Sequence, residues 1–440
     1  MELSEWKSKN ASPKYYSHFD KRVPLKYVWD YISTPSMVQH HGFYPFIHYQ
    51  QKFNKYSKKN GVKPKTRDLC YAAHIDRYIY AYYAYLLNEQ YNQRVIADKI
   101  SDSAVAYRTD LHKSNVHFSK IAFDYIRSHT PCYIVVGDFT HFFDRLDHKY
   151  LKRQLCNLLE CNSLPSDYYA IFKNITKYST WNLESLLSLN NLPDSRSGIK
   201  KLNSYEQVLT PQQFKQYKID NVLPHNQSYG IPQGSPISAV LSNIYMLDFD
   251  KEFREYVDTF SGLYMRYSDD FIAVFSHTPN GQFAEQLRWI QNLIKNTSGL
   301  ELQDEKTQLY YFSNCRLTNI SSEYLEGVEK GKNILNYLGF SFDGQTVTIR
   351  DKTLSKYYYR MYKKARFIVK SKHYTKNKKR ISNKNLYMLY SQKGAHQGNG
   401  NFLTYVQRSE KIFGKHDKIS RGTKNHMAKI KKCLNDDSSI

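Results

Sequence analysis

"YSDDFIAVF", residues 267–275, decides how this chain is read. Two adjacent carboxylates, Asp269 and Asp270, follow Tyr-Ser and precede an apolar run of the kind that forms a buried strand. Two explanations compete. Ser-Asp-Asp is good turn chemistry, because short polar side chains bond to backbone two residues further on. Alternatively the pair holds a divalent cation against a phosphate, since confined like charges stay ionised only when something neutralises them. The pair taken alone favours the turn, so the rest of the chain must decide.

Upstream, "CYIVVGDF" (132–139) is an apolar, β-branched run ending in a carboxylate, Asp138. That pattern predicts a central strand delivering an acid at its end. Asp269 and Asp270 read as the turn between two further strands, "LYMRY" and "FIAVF"; if those strands are neighbours in one sheet, Asp138, Asp269 and Asp270 converge at one edge. Two Mg²⁺ ions about 3.5–4 Å apart would relieve the repulsion and clamp the attacking and leaving oxygens of a phosphoryl displacement. Between these strands, "GIPQGSPISAVLSNIYMLDFDKEF" (230–253) passes from a Gly/Pro turn into a helical pattern near Ser235. Asp147, opening "LDHKYLKRQLCNLLE", reads as a helix N-cap rather than a reacting group.

The charge points to the partner. Sixty-four Lys and Arg against 40 Asp and Glu give a net charge of +24 over 440 residues. From Asp351 to Ile440 there are 23 basic and 5 acidic residues, so +18 lies in the last fifth of the chain, including Lys376, Lys378, Lys379 and Arg380. Charge concentrated in this way, with 40 Tyr interleaved, suits a groove that follows phosphates and stacks bases. Six scattered Cys lack the spacing of a zinc site and read as reduced thiols. "MELSEWKSKN" has no apolar core and no apolar run is long enough to span a bilayer, so the expectation is a cytoplasmic protein without a membrane partner.

Residues 1 to about 60 read as irregular structure and short helices. Residues 69–95 read as a well-buried helix in which His74 and Asp76 are structural. "SAVAYR" (103–108) reads as a short strand closing on Arg108, and 161–228 as a polar insertion. A helix is expected over about 281–296, and "NYLGFSFDG" reads as a hairpin. The tail reads as helices joined by a flexible "SQKGAHQGNGN".

In order, "DFTHFFD" (138–144), "GIPQGSPISAVLSNIYM" (230–246), "YSDD" (267–270), "LELQDEKT" (300–307) and "YLGF" (337–340) resemble the palm motifs of reverse transcriptases. The resemblance spans roughly 69–345 and is nearest the bacterial group holding retron, group II intron and abortive-infection enzymes. The retron hallmarks NAxxH and VTG are absent, and no maturase or endonuclease extension is expected after residue 440. "AAHIDRYIYAYYAYLLNEQY", "SAVAYR" and "VLTPQQFKQYK" look more like the defence-associated, unknown-group enzymes.

The resemblance implies an α+β right-hand polymerase. Its parts would be an N-terminal region and fingers (1–130), palm (131–150 and 229–348), an insertion (151–228) and a basic helical thumb (349–440). It implies RNA-directed DNA synthesis from dNTPs in antiphage defence, with an RNA template or associated non-coding RNA and a DNA product. Oligomeric state stays open. Asp138, Asp269 and Asp270 match the metal-binding aspartates, which take Mg²⁺ with Mn²⁺ as a substitute, and Lys306 matches the proton donor to pyrophosphate. Arg108, Phe143, Gln233 and Gly234 match nucleotide contacts: a triphosphate cation, the floor of the sugar pocket and the template-facing turn. Tyr267, Leu338 and Gly339 match the primer contacts. Three rivals remain: untemplated, protein-primed DNA synthesis, a non-catalytic RNA-binding defence module, and an RNA-dependent RNA polymerase. A polymerase of the last kind would carry a polar group where Phe143 stands.

Overall fold

Asp138 closes the middle strand of a five-stranded antiparallel sheet. The computed structural model describes residues 1–57, 61–276, 278–279, 281–374 and 378–435, so Lys376 of the basic cluster lies outside the described residues. In chain order the strands are β1 (Phe46–Ser57), β2 (Gly61–Tyr71), β3 (Cys132–Asp138), β4 (Ser179–Asn182), β5 (Val222–Pro224) and β6 (Leu263–Tyr267). They continue as β7 (Asp270–Phe275), β8 (Gln308–Ser313), β9 (Arg316–Asn319), β10 (Leu335–Tyr337), β11 (Phe340–Phe342) and β12 (Val347–Ile349).

The chain packs into two units. One comprises Met1–Leu111, Phe139–Glu255 and Leu287–Leu302, and the other His112–Asp138, Tyr256–Gln286 and Gln303–Ile440. The second unit holds the sheet β6-β7-β3-β8-β9 and a smaller antiparallel sheet, β10-β11-β12. β3 is apolar on both faces because both are covered: Cys132, Ile134, Val135 and Val136 are all buried. Helix Asn115–Ser128 belongs to this unit and starts at a capping box in which Ser114 and His117 satisfy each other's backbone N–H groups. It buries Val116, Ser119, Ala122, Phe123 and Ile126, a stripe at helical spacing. The long helix Asp351–Lys370 likewise buries Tyr357, Met361, Ala365 and Ile368, while Lys352, Lys356, Arg360, Lys363, Arg366 and Lys370 are exposed. Part of the tail's positive charge is thus the outer face of an amphipathic helix.

The first unit carries the sheet β2-β1-β4-β5 and the helix His74–Ala97. Asp147 caps helix His148–Leu158, its side chain accepting from the Tyr150 N–H, as its position predicts. Asp76 accepts from the His41 ring at 2.8 Å and from the Tyr44 N–H at 2.9 Å, and His74 is fully buried.

Several expectations need correction. The 1–60 region is not irregular throughout: β1 pairs with β2 over eleven residues in a long ribbon, and residues 69–71 belong to that ribbon rather than to the helix. From Gln50 to Asn54 and from Lys63 to Asp68 its side chains are exposed and mostly polar on both faces, so no alternation signals a strand there. "SAVAYR" forms turns, with Ala104 in an isolated bridge only. "SQKGAHQGNGN" is tied down rather than free: Gly394 and Ala395 are buried, and the Asn401 amide donates to the carbonyls of Met388 (3.0 Å) and Ser391 (2.8 Å). Among the described residues no cysteines are joined in a disulfide, and no helix is long and apolar enough to cross a membrane.

Candidate active site

The site begins with a register. β3 and β7 pair antiparallel so that Asp138 faces Asp270, and β6 pairs with β7 so that Tyr267 faces the same Asp270. A two-residue loop, Ser268-Asp269, joins β6 to β7, with Ser268 at φ +63°. A left-handed first position is what a tight hairpin turn demands, and for a residue other than glycine it costs about 1–2 kcal/mol. Arg266 offsets that strain. Its guanidinium is completely buried and Nη1 donates to the Ser268 carbonyl at 3.0 Å.

The carboxylates are held against their preference. Burial, followed by the charges of Asp269 and Asp138, pushes Asp270 up to about 7, while Lys306 and Arg350 pull it back. Burial and Asp138 also raise Asp269. Lys306 reaches the cluster through the backbone. The Gln303 N–H donates to the Asp138 carbonyl at 2.8 Å, and the 3₁₀ turn Asp304–Lys306 then sets Nζ 2.7 Å from Asp138 Oδ2. Hard oxygen donors are the right chemistry for Mg²⁺. Among the described residues, however, no group of three or more His, Cys, Asp or Glu side chains is arranged to hold a metal ion. Carboxylate oxygen is the donor type a divalent ion takes, and the ammonium of Lys306 occupies one such oxygen.

The hairpin lies in the same unit. β10 and β11 are joined by Leu338 (φ +45°) and Gly339 (φ +95°), and positive φ at both loop positions is the type I′ pattern. Leucine is an unfavourable residue for that conformation, and the Leu338 carbonyl is held by the Asn115 amide at 3.0 Å, which also donates to the Tyr405 hydroxyl at 3.2 Å. The Arg350 N–H donates to the Gly339 carbonyl at 3.0 Å. Tyr267 is half-buried, with its ring 6.3 Å from that of Phe118.

Three other expected residues meet in the first unit. The Ile231 N–H donates to the Phe143 carbonyl at 3.0 Å and the Gly230 N–H to the Leu146 carbonyl at 2.8 Å, which lays the Gly-Ile-Pro-Gln turn along 143–146. The Gln233 amide donates to Asp144 Oδ1 at 2.9 Å, and the Cys70 N–H donates to the Gln233 carbonyl at 2.8 Å. Gly234 has φ +110°, and a Cβ there would stand 2.4 Å from the Cys70 carbonyl oxygen. Only glycine fits. Phe143 is half-buried, edge-on to Phe142.

Arg108, the cation expected at the triphosphate, lies in the first unit. Its side chain is completely buried and donates to Asp110 (2.6 Å), Asn92 (3.2 Å) and the Ser101 carbonyl (2.7 Å). These bonds fix the loop around it.

The reverse transcriptase (RNA-dependent DNA polymerase) family model matches residues 86–342, more than half the chain. The chain belongs to the reverse transcriptase family. The family's activity is RNA-directed DNA synthesis by nucleotidyl transfer, it generally uses Mg²⁺, and the α+β right-hand polymerase class read from the sequence follows. A search of the curated proteins found no match. Among solved structures, apo telomerase from Candida tropicalis truncated from its C-terminal domain is 13% identical with a TM-score of 0.42, covering 74% of this chain and 60% of that one. Telomerase from Candida albicans in complex with a TWJ fragment of telomeric RNA is 14% identical with a TM-score of 0.42, covering 94% and 65%. The chain therefore spans less than two thirds of the length of these telomerases.

The sequence reading gave no role to Arg266, to Asn115 or to Asp144, the residue that closes "DFTHFFD". Each acts by holding a motif residue, and only Arg266 left a sign: a cation in an otherwise apolar strand, two residues before the turn.

Proposed function

We propose that the chain adds dNMPs to a primer 3′ end on an RNA template, with Asp138, Asp269 and Asp270 holding two Mg²⁺ ions. The observation that carries this reading is the β3–β7 register, which sets Asp138 opposite Asp270 with Asp269 in the adjoining turn. Asp138 and Asp269 are the main ligands and Asp270 the more peripheral one. When bound, the ions activate the attacking oxygen and neutralise charge on the departing pyrophosphate. Lys306 Nζ gives a proton to that pyrophosphate as general acid, moving off Asp138 Oδ2 to do so. Phe143 floors the sugar pocket, Gln233 and Gly234 contact template and incoming nucleotide, and Tyr267, Leu338 and Gly339 hold the primer end. No covalent enzyme intermediate is required, because positioning and electrostatics carry the reaction.

In the same reading, 1–130 and 151–228 are fingers and insertion, 131–150 and 229–348 are palm, and 349–440 is a thumb gripping nucleic acid. The motif resemblances support a bacterial, cytoplasmic enzyme working with a non-coding RNA in antiphage defence. The test is the double variant Asp269→Asn/Asp270→Asn. It should lose Mg²⁺-dependent primer extension yet melt no lower than wild type without metal, since the repulsion is gone. Wild-type extension by that variant refutes the assignment. Sequencing the co-purifying RNA and the DNA product decides the template: product that matches no RNA defeats templated synthesis.

A further inference from the structure

The turn between β10 and β11 is held by two residues that have no role in the chemistry above. Leu338 takes φ +45° there, a left-handed conformation that disfavours any residue with a Cβ. Both N–H bonds of the Asn115 amide are spent at this point, one on the Leu338 carbonyl at 3.0 Å and the other on the Tyr405 hydroxyl at 3.2 Å. Leu338 and Tyr405 lie 223 and 290 positions from Asn115, so one amide joins three distant segments of the second unit. A Cβ on Gly339 would come within 3.9 Å of both that amide nitrogen and that hydroxyl. The pair therefore lies directly against the turn.

Neither side chain is explained by its own helix. Asn115 opens helix Asn115–Ser128, but the capping there is already complete between Ser114 and His117. Three residues on, and on the same face, Phe118 is buried with its ring 6.3 Å from that of Tyr267. The first turn of this helix thus meets the Leu338-Gly339 turn through Asn115 and the strand leading into Asp269 through Phe118. Tyr405 belongs to helix Phe402–Phe413 of the basic tail. Its ring stacks on Phe402 at 5.9 Å and lies 6.2 Å from Phe340 of β11. A phenylalanine would make those ring contacts equally well. What the hydroxyl adds is the bond to the Asn115 amide.

We infer that Asn115 and Tyr405 are positioning residues that lock the Leu338-Gly339 turn to helix Phe402–Phe413, and that this link sets how many additions the enzyme makes before its primer leaves. The inference rests on the proposed primer role of that turn. With the link broken, the turn is free to leave its left-handed conformation and the primer end is released more often. The experiment uses the full chain with a DNA primer on an RNA template, Mg²⁺ and dNTPs. It reads the single-turnover rate at saturating primer, and the product length per binding event with heparin as trap. Tyr405→Phe keeps the ring, so the rate should hold while products shorten by about two- to tenfold, the worth of one hydrogen bond. Asn115→Ala loses both bonds and should shorten them further. The double variant should be no worse than Asn115→Ala, because the hydroxyl has no partner once the amide is gone. Wild-type product length in Tyr405→Phe overturns the inference, even where its melting temperature falls, since the bond then serves stability alone. So do losses that multiply in the double variant. If Asn115→Ala does not fold, Tyr405→Phe decides by itself. An unmutated chain that extends no primer fails the polymerase reading and the inference together, whereas normal extension with unchanged variants fails the inference alone.

Discussion

The ammonium of Lys306 sits 2.7 Å from Oδ2 of Asp138, in the same unit as Asp269 and Asp270. Its charge favours ionisation of Asp269 and Asp270, which burial and neighbouring acids oppose. Two roles are separable. If Lys306 delivers a proton, Lys306→Met should slow single-turnover dNTP addition by about 10²–10⁴-fold. Lys306→Arg keeps the charge but cannot release a proton, so it should stay nearly as slow. Full speed in the Arg variant would reduce Lys306 to an ion-pair partner.

Phe143 offers a flat ring and no hydrogen-bond partner for a ribose 2′-hydroxyl. Burying an unpaired hydroxyl costs about 1–3 kcal/mol, and each 1.4 kcal/mol or so is worth roughly tenfold in rate. Phe143→Ala should therefore admit rNTPs at least about tenfold better while retaining some dNTP incorporation. Competition assays with paired dNTP and rNTP substrates read this directly. Unchanged discrimination in a folded, active variant excludes the residue as the gate.

Arg108 should behave as a structural residue. Removing Arg108 leaves the Asn92 side chain and the Ser101 carbonyl without their donor, at about 1–3 kcal/mol for each buried group left unpaired, and the partly exposed Asp110 without its counter-charge. Arg108→Met should lower the urea midpoint substantially while leaving KM for dNTP unchanged in the folded fraction. A raised KM at wild-type stability would return the residue to triphosphate binding.

His18 sets an acid limit on the first unit. Its ring is fully buried, and Nε2 donates to the Tyr71 carbonyl at 3.3 Å. Burial, reinforced by His74, lowers its pKa from 6.5 to about 3 despite that bond. The unfolded chain takes up the proton near pH 6.5 and the folded chain only near 3, so stability is lost as pH falls through that window. His18→Phe, which keeps a ring but cannot titrate, should flatten the decline in Tm across the same range. An equally steep decline would assign acid sensitivity to other groups.

Local pattern carried much of this molecule. The apolar run to Asp138, the strand after Asp270, the cap at Asp147 and the hairpin around Leu338-Gly339 were legible because each is written in residues a few positions apart. The helical character of the tail was legible too, but not which face of the helix after Asp351 is buried. Where a strand carries no alternation, as over 50–54 and 63–68 of the ribbon, the sequence was silent, because solvent on both faces imposes no period. Tertiary structure alone decided the rest. Which strands pair, and in what register, depends on contacts more than a hundred residues apart, and that register brings Asp138 to Asp270. Whether a cation is free is equally non-local. Arg108 and Lys306 are both basic residues at motif positions, yet packing buries the first among Asn92, Ser101 and Asp110 and presents the second to a carboxylate. A side chain's charge is fixed by its type, but its availability is fixed by what the fold sets against it.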